Sequence, residues 1–353
     1  MKFSRKAVAS VLAAAVLAGS GIAYAAGQSA SGSGSTFIKN LFEACIPGHN
    51  TASGDTISYT GGGSGAGRSA FTNGTVDFAG TDSAYAVSDT PPSDYTYVPL
   101  IAGPIAIAYK NSGISGTLQL SPLTIAKIFA GQITTWNHAD IRADNPRLTL
   151  PSGNILVVYR SDSSGTSSGF TTYLNTAARA VWSKAGSSTF TSSAPSGAPT
   201  GSFGASGSDG VINKVRDTNG SITYVELSYQ AENAGNGVKA VSVKNRSGRF
   251  VAPTASSAAA TVRALPSANI NRTTGWVTPD FNTAGTGSYP ITILSFGLAH
   301  KTNTNKNKAV KAYFQYVLNT CAPNKAAGLS YAALEGTLLT FAKERANLVG
   351  SQG

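Results

Sequence analysis

One local unit recurs along this sequence and restricts the folds that the chain can adopt: a strand, a turn rich in Gly, Ser and Thr, and the start of a helix. The unit is clearest in the segment 155–174. There the apolar run Ile155–Val158 predicts a buried strand, and the spacing of Phe170, Tyr173 and Leu174 predicts a helix. Because predicted strands alternate with predicted helices through the rest of the chain, we expect an α/β fold.

The turn inside this unit is suited to hold an anion. The first backbone N–H groups of a helix have no partner within the helix, and the helix dipole makes this end positive. The turn adds the hydroxyls of Ser164 and Thr166, the small residue Gly165 and the guanidinium of Arg160. The alternative is a capped helix with a surface ion pair between Arg160 and Asp162.

Similar turns are predicted earlier in the chain. A Gly/Ser-rich turn at 31–37 precedes a helical pattern at 38–45, and a strand at 56–60 runs into the glycine cluster 61–67 ahead of another helix. The glycine cluster has neither the G-x-G-x-x-G spacing nor the Walker A pattern, so no nucleotide cofactor is expected. A further strand at 76–82 ends in a carboxylate.

That carboxylate, Asp82, limits which anion such turns would accept. If the turns converge at the strand ends of an open sheet, their hydroxyls and amides and Arg160 would bind a small tetrahedral oxyanion. Asp82 would repel the anion unless the anion brings a proton to donate. This requirement favours hydrogen phosphate over fully ionised sulfate by several kcal/mol. The alternative is that Asp82 only caps the following turn.

The N-terminus has the pattern of a cleaved export signal. Lys2, Arg5 and Lys6 precede an apolar run at 7–18, and the small residues at 23–25 offer a cleavage site, so we expect a signal peptide over 1–25. No Cys lies near that site, which argues against a lipid anchor. We therefore expect a periplasmic or secreted protein.

Composition narrows the classes of partner. About 330 mature residues exceed the usual size of one domain, so two domains are expected. The formal net charge of +11 suits an anionic partner. The chain has no Lys/Arg run of five or more and no zinc-finger spacing, so we expect no nucleic acid. His49, His138 and His300 are scattered without metal-ligand spacing, so no metal site is expected.

The chain contains two cysteines, Cys45 and Cys321. In an oxidising compartment they most simply form one disulfide, which would place the beginning and the end of the mature chain in one domain with the middle inserted as another. The alternative is two buried free thiols.

Further elements follow from local patterns. The apolar strands at 99–109 and 291–296 are long enough to cross between domains, and the Ser/Gly/Pro-rich stretch 186–207 predicts a loop. A capped helix is predicted to open at 208–211, and the last helix is predicted over 331–348.

Four of these motifs, taken together and in order, resemble the phosphate-binding proteins of bacterial phosphate ABC transporters. They are Ser35-Thr36-Phe37, the glycine cluster with Ser64, the strand at 76–82, and Arg160–Ser167. The similarity extends over nearly all the mature chain. It implies a two-lobed periplasmic-binding-protein fold, each lobe a central sheet flanked by helices, with crossover strands as a hinge. We expect one lobe to hold 26–104 and 288–353 and the other to hold 105–287.

The resemblance also implies roles for individual residues. Thr36 and Phe37 would supply a hydroxyl and backbone amides, and Ser64 a hydroxyl. Asp82 would accept the phosphate proton, and Arg160 would pair with the anion. The remaining positions implied are Asp162, which would hold Arg160, and the helix-start donors Ser164, Gly165 and Thr166.

Two departures from the family are visible: Ser35 stands where many relatives have Ala, and the stretch 186–207 carries extra Ser, Gly and Pro. We expect neither to touch the binding motif. The resemblance implies extracytoplasmic binding of inorganic phosphate, without a cofactor, by a monomer that delivers it to the permease of an ABC transporter.

Two other functions remain open for the same fold. Gly165–Gly169 matches the nucleophile pattern G-x-S-x-G, which would make Ser167 the nucleophile of a secreted phosphatase-like hydrolase, with His300 as the one downstream His. A surface protein that senses phosphate or mediates adhesion is the other alternative. We expect that the protein is not an enzyme.

Overall fold

The computed structural model describes residues 27–353, so the predicted signal peptide lies outside the described residues. The strands are β1 (Ser29–Gly34), β2 (Thr56–Gly61), β3 (Phe78–Thr81), β4 (Tyr95–Lys110), β5 (Gln119–Leu120), β6 (Leu156–Arg160), β7 (Phe203–Ala205), β8 (Ser221–Glu226), β9 (Lys239–Ala240), β10 (Ser242–Lys244), β11 (Phe250–Val251) and β12 (Thr292–His300). The helices are α1 (Lys39–Ser53), α2 (Ser64–Thr72), α3 (Pro122–Phe129), α4 (Ala139–Asp144), α5 (Gly165–Ala177), α6 (Phe190–Ser193), α7 (Gly207–Asp217), α8 (Leu227–Glu232), α9 (Ala255–Arg263), α10 (Asn305–Tyr316), α11 (Ala322–Lys325) and α12 (Gly336–Leu348). Strands and helices thus alternate as the sequence predicted.

One curled sheet runs through the whole molecule in the order β2-β1-β3-β12-β4-β8-β6-β7, with β9 beside β4, and β11-β10-β5 form a small separate sheet. The strand β4 connects the two halves of the large sheet. Its first part, up to Pro104, pairs with β12, and its second part, from Ile105, pairs with β8. The predicted long strand at 99–109 is therefore a crossover between two lobes.

The return crossover lies beside the first one. The backbone N–H of Ile105 donates to the carbonyl of Ile291 at 2.8 Å, and the Tyr289 hydroxyl donates to the carbonyl of Ile105 at 3.0 Å. β12 begins opposite Pro104 and then runs back along the first half of β4. Both connections between the lobes thus pass through one narrow region, which is the arrangement of a hinge.

The division of the chain between the lobes stays a prediction. The change of partner strand at Pro104 and Ile105 supports its first boundary. One stretch predicted in the second lobe contacts the first: the backbone N–H of Tyr97 donates to Thr274 at 2.9 Å, and Trp276 stacks on Phe296 with ring centroids 4.3 Å apart.

The prediction of a turn at 31–37 is wrong in part, because β1 occupies Ser29–Gly34. The glycines suggested a turn, but Gly32 is needed for packing. A Cβ on Gly32 would lie 2.3 Å from the ring of Phe78. The true turn is the short segment that follows Gly34, and the order of strand, turn and helix holds.

The stretch 186–207 is not only a loop. It contains α6 and the edge strand β7, which pairs in parallel with β6. Phe190 is fully buried, and its ring stacks on Tyr224 at 5.7 Å and on Tyr159 at 5.0 Å. A few buried apolar side chains such as Phe190 hold this mostly polar segment in place. Its overall Ser, Gly and Pro content predicted only a loop.

The last helix begins later than predicted, at Gly336 instead of 331. The preceding Ala332 forms a bridge with Ala102, with both backbone hydrogen bonds made, at 2.8 and 3.0 Å. These bonds hold the segment extended against β4, so tertiary pairing replaces the local helical preference.

The predicted disulfide between Cys45 and Cys321 is confirmed. It joins α1 to the helical turn that follows α10, across a sequence separation of 276 residues. The first and last parts of the described chain are therefore tied together, as the two cysteines predicted. Among the described residues, no helix is long and apolar enough to cross a bilayer.

Candidate functional site

The polar turns predicted from the sequence converge where parallel strands end. In one lobe β1, β2 and β3 pair in parallel, and their last residues lie side by side. In the other lobe β6 and β7 pair in parallel and end together at Arg160 and Ala205. The residues that follow these strands meet between the lobes, as expected for open α/β sheets.

Asp82 occupies the centre of this region. Its side chain is 5% exposed, and its carboxylate accepts hydrogen bonds from three serine hydroxyls. Ser35 lies 2.7 and 2.6 Å from the two oxygens, Ser64 lies 3.2 Å from Oδ2, and Ser295 lies 2.5 Å from Oδ1. Burial raises the pKa of Asp82, while these hydroxyl bonds and the charge of Arg160 act in the opposite direction.

Arg160 supplies the positive charge from the other lobe. It is 2% exposed and forms a two-point ion pair with Asp162, Nε to Oδ1 at 2.7 Å and a terminal nitrogen to Oδ2 at 2.5 Å. Asp162 is further fixed by the backbone N–H of Gly207 at 3.1 Å. Burial alone would raise the pKa of Asp162, but its bonds to Arg160 outweigh this and hold the pKa below its usual range. The expectation that Asp162 orients Arg160 agrees with this geometry.

The start of α5 supplies donors of the kind predicted. The Ser164 hydroxyl caps the helix by accepting from the backbone N–H of Ser167 at 3.1 Å. Gly165 and Thr166 form the first turn, where backbone N–H groups have no acceptor within the helix, and both are buried. A partial positive charge at this helix end would favour an anion beside it.

This helix start lies directly against Asp82. A Cβ built on Gly165 would stand 2.6 Å from Cβ of Asp82 and 2.6 Å from the hydroxyl of Ser64. The backbone N–H of Gly65 also donates to the carbonyl of Ser163 at 3.0 Å. The two lobes therefore touch at the polar centre, and the molecule is in a closed arrangement.

A second pair of contacts crosses the cleft at Thr36. Its hydroxyl lies 2.9 Å from the hydroxyl of Ser208 and accepts from the backbone N–H of Ser208 at 3.2 Å. Ser208 is also 3.5 Å from Arg160. The predicted capped helix begins at Gly207 with Ser206 at its cap, which makes no side-chain bond, so Ser208 lies in the first turn and not at the cap.

Phe37 is placed at the same turn but in a different bonding pattern. Its backbone N–H donates to the hydroxyl of Ser35 at 3.0 Å, and its carbonyl accepts from the Tyr331 hydroxyl at 2.5 Å. All eight residues predicted to bind the ligand are buried, and the contacts above bring Thr36, Ser64 and Asp82 of one lobe against the other lobe at Ser208 and Gly165. The eight residues are Thr36, Phe37, Ser64, Asp82, Arg160, Ser164, Gly165 and Thr166.

Both expectations about the two departures from the family are wrong. Ser35 contacts Asp82 directly. The stretch 186–207 contacts the site as well, because the carbonyl of Ser188 accepts from the backbone N–H of Ser164 at 2.9 Å. Neither contact could be read from the sequence, since Asp82 and Ser164 are far from these residues along the chain.

Sequence reasoning missed Ser208 and Ser295 as members of the site. Ser295 lies at a register shift between β12 and β4, and such an irregularity changes the direction of a side chain. No local sequence pattern predicts this register shift. Ser208 had a weak signal, because it lies in another Ser/Gly turn ahead of a helix.

The hydrolase geometry is not assembled around Ser167. Its hydroxyl is fully buried and lies 2.7 Å from the hydroxyl of Tyr224. His300 bonds instead to Asp94 at 2.8 Å and stacks on Phe71. Within residues 27–353 there is also no group of three or more His, Cys, Asp or Glu side chains able to hold a metal ion.

A surface cavity of about 570 Å³ lies beside the polar centre, on α2. Its lining includes Arg68, Tyr85, Asp89 and Ser163. The guanidinium of Arg68 donates hydrogen bonds to Thr81 and Ser83, and its shortest bond there, to the Ser83 hydroxyl, is 2.5 Å long. The buried centre at Asp82 gathers donors from both lobes and is therefore the candidate site.

The whole-chain comparisons agree with this architecture. A model of the PBP superfamily domain matches residues 22–320. The phosphate-binding protein PstS 3 of Mycobacterium tuberculosis is 34% identical over 301 residues, which cover 82% of this chain and 77% of that protein. PstS of Xylella fastidiosa is 32% identical over 289 residues, covering 81% and 76%.

Solved structures give the same result. A high-affinity periplasmic phosphate-binding protein, PfluDING, solved with bound phosphate, superposes with a TM-score of 0.74 and 26% identity, covering 90% of this chain and 93% of that one. The predicted two-lobed α/β fold is confirmed by this match and by the curled sheet described above.

Proposed function

This chain belongs to the phosphate-binding proteins of the PBP superfamily, and we propose from this that it binds inorganic phosphate between its lobes and delivers it to a phosphate ABC transporter. The observation that carries the proposal is the meeting of Asp82, Arg160 and the start of α5 in one buried centre. Donors from both lobes surround a single acceptor there. Such a centre fits an anion that is largely ionised and still carries one proton.

The arrangement gives each group a distinct task. Arg160, held by Asp162, faces the negative charge with a fixed planar fork. The backbone N–H groups of Gly165 and Thr166 and the hydroxyls of Thr36 and Ser64 donate to ligand oxygens. Asp82 accepts the ligand's proton, and a fully ionised anion would leave two negative groups face to face in a buried site.

Closure of the hinge completes the site, because the donors lie on different lobes. Contacts such as Thr36 with Ser208 and Gly65 with Ser163 form only when the lobes meet. Binding free energy from the ligand would favour the closed state, and a membrane permease that recognises the closed form would receive the loaded protein. We propose the permease subunits as the partner and a monomer as the binding unit.

Export completes the proposal. The predicted signal peptide at 1–25 would carry the chain across the membrane, and the disulfide between Cys45 and Cys321 suits an oxidising compartment. We place the mature protein in the periplasm or outside the cell. We assign it no catalytic role, since Ser167 is buried against Tyr224 instead of facing a His.

Titration calorimetry with phosphate and with sulfate tests the function. The parent protein should bind phosphate and discriminate against sulfate by at least about 100-fold, since a buried unpaired acceptor costs about 3 kcal/mol or more. Asp82→Asn should narrow this ratio, because an amide can donate as well as accept. Equal affinity of the parent protein for both anions would contradict the assignment.

Asp89→Asn is the matched control. Asp89 is a carboxylate in the neighbouring surface cavity, where its Oδ2 accepts from the backbone N–H of Ala86 at 2.7 Å. This variant should keep the parent protein's ratio of phosphate affinity to sulfate affinity. Loss of phosphate binding in Asp89→Asn, with binding retained in Asp82→Asn, would move the ligand site to that cavity.

A further inference from the structure

The carboxylate of Asp82 is surrounded by more hydroxyl donors than the predicted ligand set contains. Ser64 belongs to that set, but Ser35 and Ser295 do not. Ser35 comes from the turn after β1, Ser64 from the start of α2 and Ser295 from β12, so three separate elements aim a hydroxyl at one carboxylate.

Counting donors and acceptors shows what these bonds leave available. An ionised carboxylate offers about four lone-pair positions, and each hydroxyl brings one proton. The proton of Ser35 serves either Oδ1 or Oδ2, and that of Ser295 serves Oδ1, while the single proton of Ser64 can serve either Oδ2 or a ligand oxygen. About one acceptor position therefore remains for a proton that arrives with the ligand while Ser64 faces Asp82, and about two remain when Ser64 donates to the ligand.

We propose that Ser35 and Ser295 are specificity-determining residues, whose hydroxyls keep Asp82 ionised and oriented so that the ligand must supply a proton. This inference rests on the proposed binding of phosphate at Asp82. Neither hydroxyl needs to touch the ligand. Both act through the carboxylate and are positioning residues for it.

The hydroxyls are needed because the surroundings otherwise favour a protonated Asp82. The side chain is buried, and burial raises its pKa. A protonated Asp82 would itself donate to the anion, and a ligand without a proton would then be accepted. Removing hydroxyl donors from the carboxylate raises its pKa further, because each one stabilises the ionised form more than the protonated form.

Arginine and tyrosine side chains face Asp82 or its neighbours from the elements packed around it. Arg160 faces it from β6 and is held by Asp162. Tyr59 on β2 donates to the carbonyl of Ser35 at 2.9 Å, and burial raises its pKa well above the usual range, so it stays neutral. Arg68 on α2 bonds to the residues on either side of Asp82.

Sulfate is the probe that isolates this effect, because it carries no proton between about pH 5 and pH 8 and its own charge does not change there. In the parent protein, sulfate binding should appear only as the pH falls through the pKa of Asp82. In Ser35→Ala and in Ser295→Ala the pH at which sulfate begins to bind should be higher by about one pH unit. At a fixed pH where sulfate affinity still increases as the pH falls, this shift corresponds to about tenfold tighter sulfate binding. The double variant should move further.

Ser221→Ala is the matched control. Ser221 is a fully buried serine in β8 whose hydroxyl donates to the carbonyl of Thr218 at 2.6 Å, away from Asp82. The Ser221→Ala variant loses a comparable hydrogen bond and some stability, and its sulfate affinity should depend on pH as that of the parent protein does. Asp82→Asn should bind sulfate without pH dependence over the same range.

The outcomes separate this inference from the proposed function. If the parent protein binds phosphate and excludes sulfate, but both alanine variants reproduce its sulfate profile, the role of Ser35 and Ser295 is refuted and phosphate binding stands. If the parent protein binds no phosphate, both proposals fail. A shift in either single variant supports the inference, so a folding defect in one leaves the other as a test.

Discussion

Glu226 gives a test of the buried contacts between the lobes that does not depend on any ligand. It ends β8, is fully buried and accepts from the backbone N–H of Ser228 at 2.6 Å. Burial, with a smaller contribution from the charge of Glu232, raises the pKa of Glu226 to about 8. The Tyr331 hydroxyl lies 2.5 Å from the carbonyl of Phe37 and 3.2 Å from Oε2 of Glu226.

One hydroxyl proton cannot serve both acceptors. If Glu226 is protonated, Tyr331 donates to Phe37 and can accept from Glu226, so every group is satisfied. If Glu226 is ionised, its carboxylate keeps the hydroxyl and the backbone N–H of Ser228 as donors, but it is buried away from water and shares the single proton of Tyr331 with the carbonyl of Phe37. Burial, which outweighs the hydrogen bonds from Ser228 and Tyr331, thus favours a neutral Glu226 carboxyl near pH 7.

The magnitude follows from proton linkage. From the ordinary value of 4.5 to about 8, the unfolded chain loses the Glu226 proton while the folded chain keeps it. The free energy of unfolding therefore falls as the pH rises through this window, by about 1.4 kcal/mol per pH unit from this group. The whole window, from 4.5 to about 8, gives about 5 kcal/mol at most.

Glu226→Gln removes the titration and keeps the shape of a neutral carboxyl group. Relative to the parent protein, the variant should gain stability steadily from about pH 5 to pH 8, by several kcal/mol. Urea unfolding at both pH values measures the difference. The control is Glu344→Gln, whose side chain is 59% exposed. If the gain from Glu226→Gln is the same at both pH values, the carboxyl is not held protonated and the reasoning is refuted.

Gly165→Ala should weaken phosphate binding about 10- to 100-fold in calorimetry, since a Cβ 2.6 Å from Cβ of Asp82 holds the lobes apart and overpacking costs about 1–3 kcal/mol. The control is Gly153→Ala, where a Cβ meets nothing within 4 Å, and this variant should bind phosphate as the parent protein does. Unchanged phosphate affinity in Gly165→Ala would contradict the close contact between Gly165 and Asp82. Replacing both Cys45 and Cys321 by Ser should lower the free energy of unfolding by about 3–5 kcal/mol, because the bond closes a loop with a sequence separation of 276. Reductant should lower the parent's midpoint in urea to that of the double variant and leave the variant unchanged; a parent insensitive to reductant would refute this.

Local patterns were enough to predict most elements of the fold. The apolar run before Arg160, the helical spacing after it and the glycine cluster before α2 each depend on contacts within a few residues, so periodicity reveals them. The spacing of Cys45 and Cys321 likewise predicted which parts of the chain join. Where local preference and tertiary pairing disagreed, as at Gly32 in β1, the sequence prediction was wrong.

For the candidate site, the sequence by itself determined which chemical groups are present: hydroxyls and free N–H groups at helix starts, one guanidinium, and one carboxylate, for which we proposed a protonated anion as the partner. Only the tertiary structure decided which groups share that carboxylate. Ser35, Ser208 and Ser295 are ordinary serines in the sequence, and long-range folding brings each within hydrogen-bond distance of Asp82 or of the groups around it. The physical reason is that a buried carboxylate must find its donors in space, and residues far apart along the chain supply them only after the lobe that holds them has folded.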